Sequence, residues 1–341
     1  MSVKTEIERL EGAKNALAAS IEGKGVAVPT GTKIDEMAAL VDQIQGGGGE
    51  DFYIDDASYL FYRGARKKQI DAILPMLKDV KTIGYMFSGG SGHFKNQIDL
   101  SGVDLTKVTN MDRAFNDCQM ITGVIFGPHG IIKPEDMSYM FANCYSMETV
   151  DLSTFDASNC QYLRGLFSNC KSLKNIDLSG LLMEAKISCQ ADAMLQNCAS
   201  LKSVDMSNFD TSRMYNMNNF LDSSRAVEEI VGFSSVGVQG ASKLFPCGGG
   251  PSLMSKLERL TFRTDLPDGK YAIRSPIDIR YCSFIRDGMV EMFSTLPDIS
   301  GLTLNDGYKR ITITGNPCAT DGTLTDEDKA IAIGKGWTIV I

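Results

Sequence analysis

The chain has 341 residues, 43% of them hydrophobic, and a formal net charge of −8. That composition can bury a sizeable core, and no apolar run approaches the ~18 residues that a membrane span requires. The acidic balance works against a nucleic-acid partner, because such binders line one face with Lys and Arg to displace counterions; the one basic cluster, Arg63, Arg66, Lys67 and Lys68, reads as a solvated helix face.

Residues 1–45 predict a helical stem. Ile7, Leu10, Leu17 and Ile21 recur at heptad-like spacing interrupted by Lys14, and after GKGVAVPTGT a second helix capped by Thr32 carries Ile34, Met37, Val41 and Ile44 on one face. Helices this short are marginal alone, so the two stripes call for burial against copies of themselves, as in a homotrimer, or against a partner. The alternative is that the pair folds back on the rest as a cap. Early acidic residues and the lack of a continuous apolar core argue against a signal peptide, so the chain is expected to be made for the cytoplasm. Residues 46–50 are a glycine linker, and 51–81 form a helical N-terminal cap with Ile70, Ile73, Leu74 and Leu77 on one face and Pro75 as a stop.

From about residue 82 the chain repeats itself. The segment MSYMFANCYSMETVDLSTFDAS, Met137–Ser158, is the template. Its first half recurs around Phe87, Phe115, Phe141, Phe167, Leu195 and Leu221, at intervals of 28, 26, 26, 28 and 26. Its second half recurs from Ile98, Val124, Val150, Ile176, Val204 and Ile230, on a 26-residue beat with one interval of 28. One short apolar strand in a unit of about 20–29 residues is the signature of a leucine-rich-repeat solenoid, an α/β repeat whose coils bury their apolar faces only by stacking. The array is assigned to 82–286, regular to about 232, with LFPC at 244–247 and LTF at 260–262 as degraded copies.

Residues 287–341 predict a C-terminal cap: a helix over GMVEMFSTL, strands near Leu302–Leu304 and Arg310–Thr314, a helix over TDEDKAIAIG and a last strand in WTIVI. Thr325 and Asp328 form a capping box, Gly334 or Gly336 ends that helix, and Trp337 packs against the last coil.

Catalytic apparatus is hard to assemble from these residues. His93 and His129 are the two histidines, both in glycine-rich stretches, and neither sits in a nucleophile motif. Phosphate-loop, dinucleotide, zinc and EF-hand signatures are missing, so no catalytic residue, metal site or cofactor is assigned. Nine cysteines without a CxxC pair do not read as a disulfide framework. Cys118, Cys144, Cys170 and Cys198 share one register, three residues after the Phe or Leu of their copies, as small buried residues would. Neighbouring coils could also bring two within bridging reach in an oxidising medium.

Alternation along the VDLS-type strands turns one residue per coil outward: Asp99, Ile125, Asp151, Asp177, Asp205 and Val231. Stacked carboxylates one strand spacing apart, ~4.8 Å, repel. Local hydrogen bonds from the Ser153, Ser179 and Ser207 region, a bound cation, or a ligand could each offset this. Asp151, Asp177 and Asp205, with Thr149, Asn175 and Ser203, are the candidate binding residues.

The copies MFANCYSMETVDLSTFDAS and LFSNCKSLKNIDLSG, with NFDTSRMYNM at 208–217, resemble the BspA-like surface-protein repeat. Departures are Ile125-Phe126 for Asp-Leu, Ala193-Met194-Leu195 for the Met-Phe element, and Ser224 for Cys. Residues 5–44 resemble the leader of tail and fibre proteins of gut-bacterial phages and prophages. The resemblances imply a non-enzymatic receptor-binding module of a phage or prophage tail. It would be a virion protein assembled in the bacterial cytoplasm, joined to other tail proteins through the stem, and would grip a glycan or protein receptor on the bacterial envelope. The alternatives are a BspA-like adhesin on the bacterial surface and a cell-wall glycan hydrolase.

Overall fold

A computed structural model describes residues 14, 15, 18, 19, 22, 28, 80–90, 94–178, 189–207, 209, 211, 214–234, 243–246, 255–263 and 276–341. The stem positions Ile7, Leu10, Leu17, Ile21, Ile34, Met37, Val41 and Ile44 lie outside the described residues, as do the linker, almost all of the N-terminal cap and His93. Of the first helix, Lys14, Asn15, Ala18, Ala19 and Glu22 are helical, and the half-buried Ala18 and Val28 pack against the apolar core.

The described chain is mostly short strands in small parallel sheets, with few helices: it is a repeat protein. Strands β1 (Asn96–Asp99) and β2 (Ile121–Ile125) pair in parallel. Strands β3 (Asn175–Asp177), β5 (Ser203–Asp205), β7 (Glu229–Phe233) and β8 (Arg259–Phe262) form a four-stranded sheet in that order. Strands β4 (Cys189–Gln190) and β6 (Met214–Asn216) pair by themselves. Each partner is the equivalent residue of the next copy, so Ile176 faces Val204, which faces Ile230, which faces Leu260. These β-branched and Leu residues are all buried, and alternation turns their neighbours outward.

The Met-Phe segment turns rather than extends. In the template copy the N–H groups of Met137, Tyr139, Phe141 and Asn143 donate to the carbonyls of Tyr162, Arg164, Leu166 and Ser168 in the next coil, while those of Met140, Ala142 and Cys144 turn back to Met137, Tyr139 and Phe141. Every second donor thus links coils and every other one closes a local turn, which leaves these buried amides paired. The geometry needs a left-handed residue on each side of the Phe. Tyr139 has φ 52° and Asn143 φ 61°, and the same two positions are left-handed in the other copies, as at Arg113 and Asp117 or Ala193 and Asn197. Asn recurs at the second position, where its short polar side chain tolerates that conformation best after Gly.

Inside, the Phe rings of four successive copies stack: Phe87 on Phe115 at 5.1 Å, Phe115 on Phe141 at 5.3 Å, and Phe141 on Phe167 at 5.4 Å. Leu195 and Leu221 continue the column. The cysteine register beside it is fully buried, and each thiol donates to the carbonyl of the preceding coil's Phe: Cys118 to Phe87, Cys144 to Phe115, Cys170 to Phe141 and Cys198 to Phe167. Ser224, in place of Cys, keeps the rule by donating to Leu195.

The hydrogen-bond pattern continues beyond the regular copies. Ile279 and Tyr281 donate to Thr312 and Thr314, and β9 (Ile277–Asp278) pairs with β10 (Arg310–Thr312), which pairs with β11 (Thr338–Val340), all in parallel. The turn side is replaced by helices α1 (Arg286–Thr295), α2 (Pro317–Thr320) and α3 (Asp326–Gly334). Thr325 and Asp328 make both bonds of a capping box, and Gly336, with φ 88°, follows the α3 C-cap. Trp337 is buried, its indole N–H on the Pro297 carbonyl. The strand expected near Leu302–Leu304 is not formed. The N–H of Leu302 bonds Ile299 and that of Leu304 bonds Leu302, so these donors are spent on tight turns before a 3-10 turn at Asp306–Lys309.

Candidate binding face

The strand edges of successive coils build one face from three columns of side chains. The first carries ion pairs between neighbouring copies: Lys174 pairs with Glu148 at 3.5 Å, and Lys202 with Glu228. Arg259 bridges Glu229 at 3.2 Å and Glu291 at 2.8 Å. These are exposed pairs screened by solvent, and they order the face more than they stabilise it. The second column runs Gln97, Gly123, Thr149, Asn175, Ser203, Glu229, and the Ser203 hydroxyl reaches the Asn175 amide oxygen at 3.0 Å. The third is the aspartate row.

Among the candidate residues, β3 and β5 hold four in strict register, Asn175 opposite Ser203 and Asp177 opposite Asp205. Asp151 and Thr149 are on the same face of the array but outside any strand, which corrects the expectation of an unbroken ladder through Val150. Among the described residues no backbone hydrogen bond joins 149–152 to β2 or to β3, so the face is divided there into the β1–β2 pair and the sheet that starts at β3. The division coincides with the departure at Ile125-Phe126. Phe126 stands where other copies have Leu100 and Leu152, and its larger ring meets Phe155 edge-on at 4.9 Å and Phe141 at 6.4 Å.

The aspartates are held locally. The N–H groups of Ser101, Ser153 and Ser207 donate to Asp99, Asp151 and Asp205, each at 2.9 Å. Bonds from the hydroxyl and N–H of Ser101 and Ser153 hold Asp99 and Asp151 below the usual carboxylate range. Where a copy lacks the Asp-x-Ser turn, a left-handed glycine lies against the serine of the preceding copy: at Gly127 (φ 78°) and at Gly232 (φ 68°), within the register shift of β7, an added Cβ would fall 2.6 Å from Ser101 Cα and from Ser207 Cα. Among the described residues no cluster of three His, Cys, Asp or Glu side chains is arranged to hold a metal. His129 is exposed, its Nε2 2.5 Å from the Ser101 carbonyl.

At the division lies a cleft of about 530 Å³, lined by Gln97, Ile125, Pro128, Thr149, Asp151 and Thr154 among others. Ile125 is 40% exposed at its rim, unusual for a large aliphatic residue on this array. Gln97 and Thr154 were not singled out from the sequence; the signal that pointed there was the Ile125-Phe126 departure from the repeat, which already marked Ile125 as an outward residue.

The opposite, turn side carries its own ladders. Asn197 donates to Asn169 at 2.6 Å and Asn169 to Asn143 at 3.0 Å. The Arg113 guanidinium stacks between Tyr139, at 4.6 Å, and Tyr85, at 5.3 Å, and bonds both Asp112 oxygens at 2.8 and 2.9 Å.

Parallel short strands, repeated Met-Phe turns and a cysteine column define a class, the strand-and-turn repeat proteins of the BspA-like kind. The profile of the family described as "Mycoplasma protein of unknown function, DUF285" matches residues 63–133, 81–202 and 186–246, more than half of the chain, and the chain belongs to that family. No curated protein and no solved structure matches it.

Proposed function

We propose that this surface-repeat protein is a leucine-rich-repeat solenoid on a trimeric helical stem, serving as the non-enzymatic receptor-binding module of a phage or prophage tail. The observation that carries the adhesion reading is the strand face: copy after copy presents short polar side chains in register, Asn175 with Ser203 and Asp177 with Asp205, on a scaffold ordered by inter-coil bonds. A rigid surface of this kind binds through many weak contacts, and a trimeric stem would multiply them by avidity. The phage setting is supported by the likeness of residues 5–44 to tail-protein leaders.

The test is adhesion. Labelled full-length protein binds cells of a susceptible bacterium, and protein starting at Glu50 binds far more weakly as single sites replace several. Light scattering should give a trimer for the first and a monomer for the second. Equal monomeric masses would remove the stem, and would favour the packing of Ala18 and Val28 against the core as a folded-back cap. A second reading, an adhesin displayed on the bacterium itself, is favoured by the repeat family. Antibody staining of intact producing cells separates it from a virion protein.

A further inference from the structure

We propose that the cleft at the division of the strand face is a binding site for a neutral sugar ring. The proposal rests on the adhesion reading and names the chemistry that the face would recognise. Two independent observations meet there. One is that 149–152 make no ladder bonds to either side among the described residues, so the main chain of Val150 and Asp151 is left to serve a ligand. The other is the Thr154 hydroxyl, a buried oxygen in the cleft lining without a hydrogen-bond partner. A buried polar atom left unpaired is costly, and a ligand hydroxyl or a water would satisfy it.

The lining decides the ligand class. The Ser153 N–H takes Asp151 Oδ1, the exposed carboxylate has further lone pairs to accept from ligand hydroxyls, and Gln97 and Thr149 add an amide and a hydroxyl. Among the described residues no Lys, Arg or His lines the cleft and the one charge is negative, so phosphate and acidic sugars are disfavoured. Ile125, Val150 and Pro128 supply an apolar strip for the C–H face of a ring. The volume falls within the roughly 300–1,000 Å³ of small-ligand sites. An extended peptide added as an extra strand does not fit, because the Thr149 carbonyl lies 3.4 Å from the position of a Cβ on Gly123 and the two backbones leave no strand-wide gap.

Saturation-transfer NMR on the full chain tests this, with the methyl glycosides of glucose, galactose, mannose and N-acetylglucosamine, sialic acid as the anionic control and a lysine-containing peptide as the cationic one. At least one neutral glycoside should show transfer, and Asp151→Asn, which preserves shape at an exposed side chain, should weaken binding by about tenfold or more. Glu327→Gln, at an exposed carboxylate on α3 and outside the three columns, should leave it unchanged. Transfer to the peptide or to sialic acid alone, no transfer to any glycoside, or loss in Glu327→Gln but not in Asp151→Asn would each overturn the site. Cells bound by a protein that takes no glycoside would leave adhesion standing without the cleft. Glycosides bound through Asp151 by a protein that adheres to no cell would do the reverse.

Discussion

The Cys170 thiol lies 3.2 Å from the main-chain oxygen of Phe141, one coil earlier, and the equivalent contact recurs from Cys118 to Ser224. The column therefore selects a small donor, not sulfur chemistry. At Ser224 the hydroxyl also accepts from the Cys198 N–H at 2.9 Å. Ser224→Ala should cost about 1–3 kcal/mol in chemical denaturation, because a buried amide loses its partner. Ser224→Cys should cost less.

Burial pushes the thiols of Cys118 and Cys198 up to about 12, and those of Cys144 and Cys170 well above the ordinary value. Thiolate is the reactive form, so these groups should label negligibly in native protein at pH 8 and rapidly once it is unfolded. Fast native labelling of Cys144 or Cys170 would mean that the column is open to solvent.

Gly165 has φ 58°, and a Cβ there would fall 2.5 Å from Tyr139 Cδ1. Tyr139 cannot swing freely, since Arg113 covers it at 4.6 Å. Gly165→Ala should destabilise by more than the ~1–2 kcal/mol of left-handed strain alone. The same arrangement of Gly315 under Tyr281 makes Gly315→Ala a second test, read by thermal melting.

Burial raises Asp112 to about 6 despite its bonds to Arg113. The sign follows from proton counting: between pH 4 and pH 6, as rough bounds, the folded state holds the proton that the unfolded state releases. Asp112 therefore contributes stability at low pH that is lost as pH rises through about 6. Melting temperature measured for wild type minus Asp112→Asn should fall across that window. A difference that is flat with pH would show that Arg113 offsets the burial.

Leu178 follows Asp177 and is fully buried. Leu178→Ala should cost ~2–5 kcal/mol by lost transfer and a residual cavity. A cost below ~1 kcal/mol, typical of surface positions, would contradict the inward assignment.

Much of the repeat was legible because its constraint is local and periodic. Only a small residue fits at Cys144 or Cys170, and Asn143 and Asn169 meet a left-handed turn position. The division of the strand face was not legible, because it depends on how Phe126 packs against Phe155 and Phe141 from other copies. The tyrosine–arginine stack was missed for a similar reason: Tyr85, Arg113 and Tyr139 meet only once copies 28 and 26 residues apart are stacked.

By itself the sequence determined the period, the inward and outward residues of each short strand, the buried cysteine column and the capping box of α3. All of these are set by neighbours within one copy or by one copy repeated. Tertiary structure alone decided that Gly127 and Gly232 lie against Ser101 and Ser207 of the preceding copy, and that the ladder opens at Thr149–Leu152. Those outcomes turn on distances of a few tenths of an ångström between stacked coils, which packing sets and periodicity does not encode.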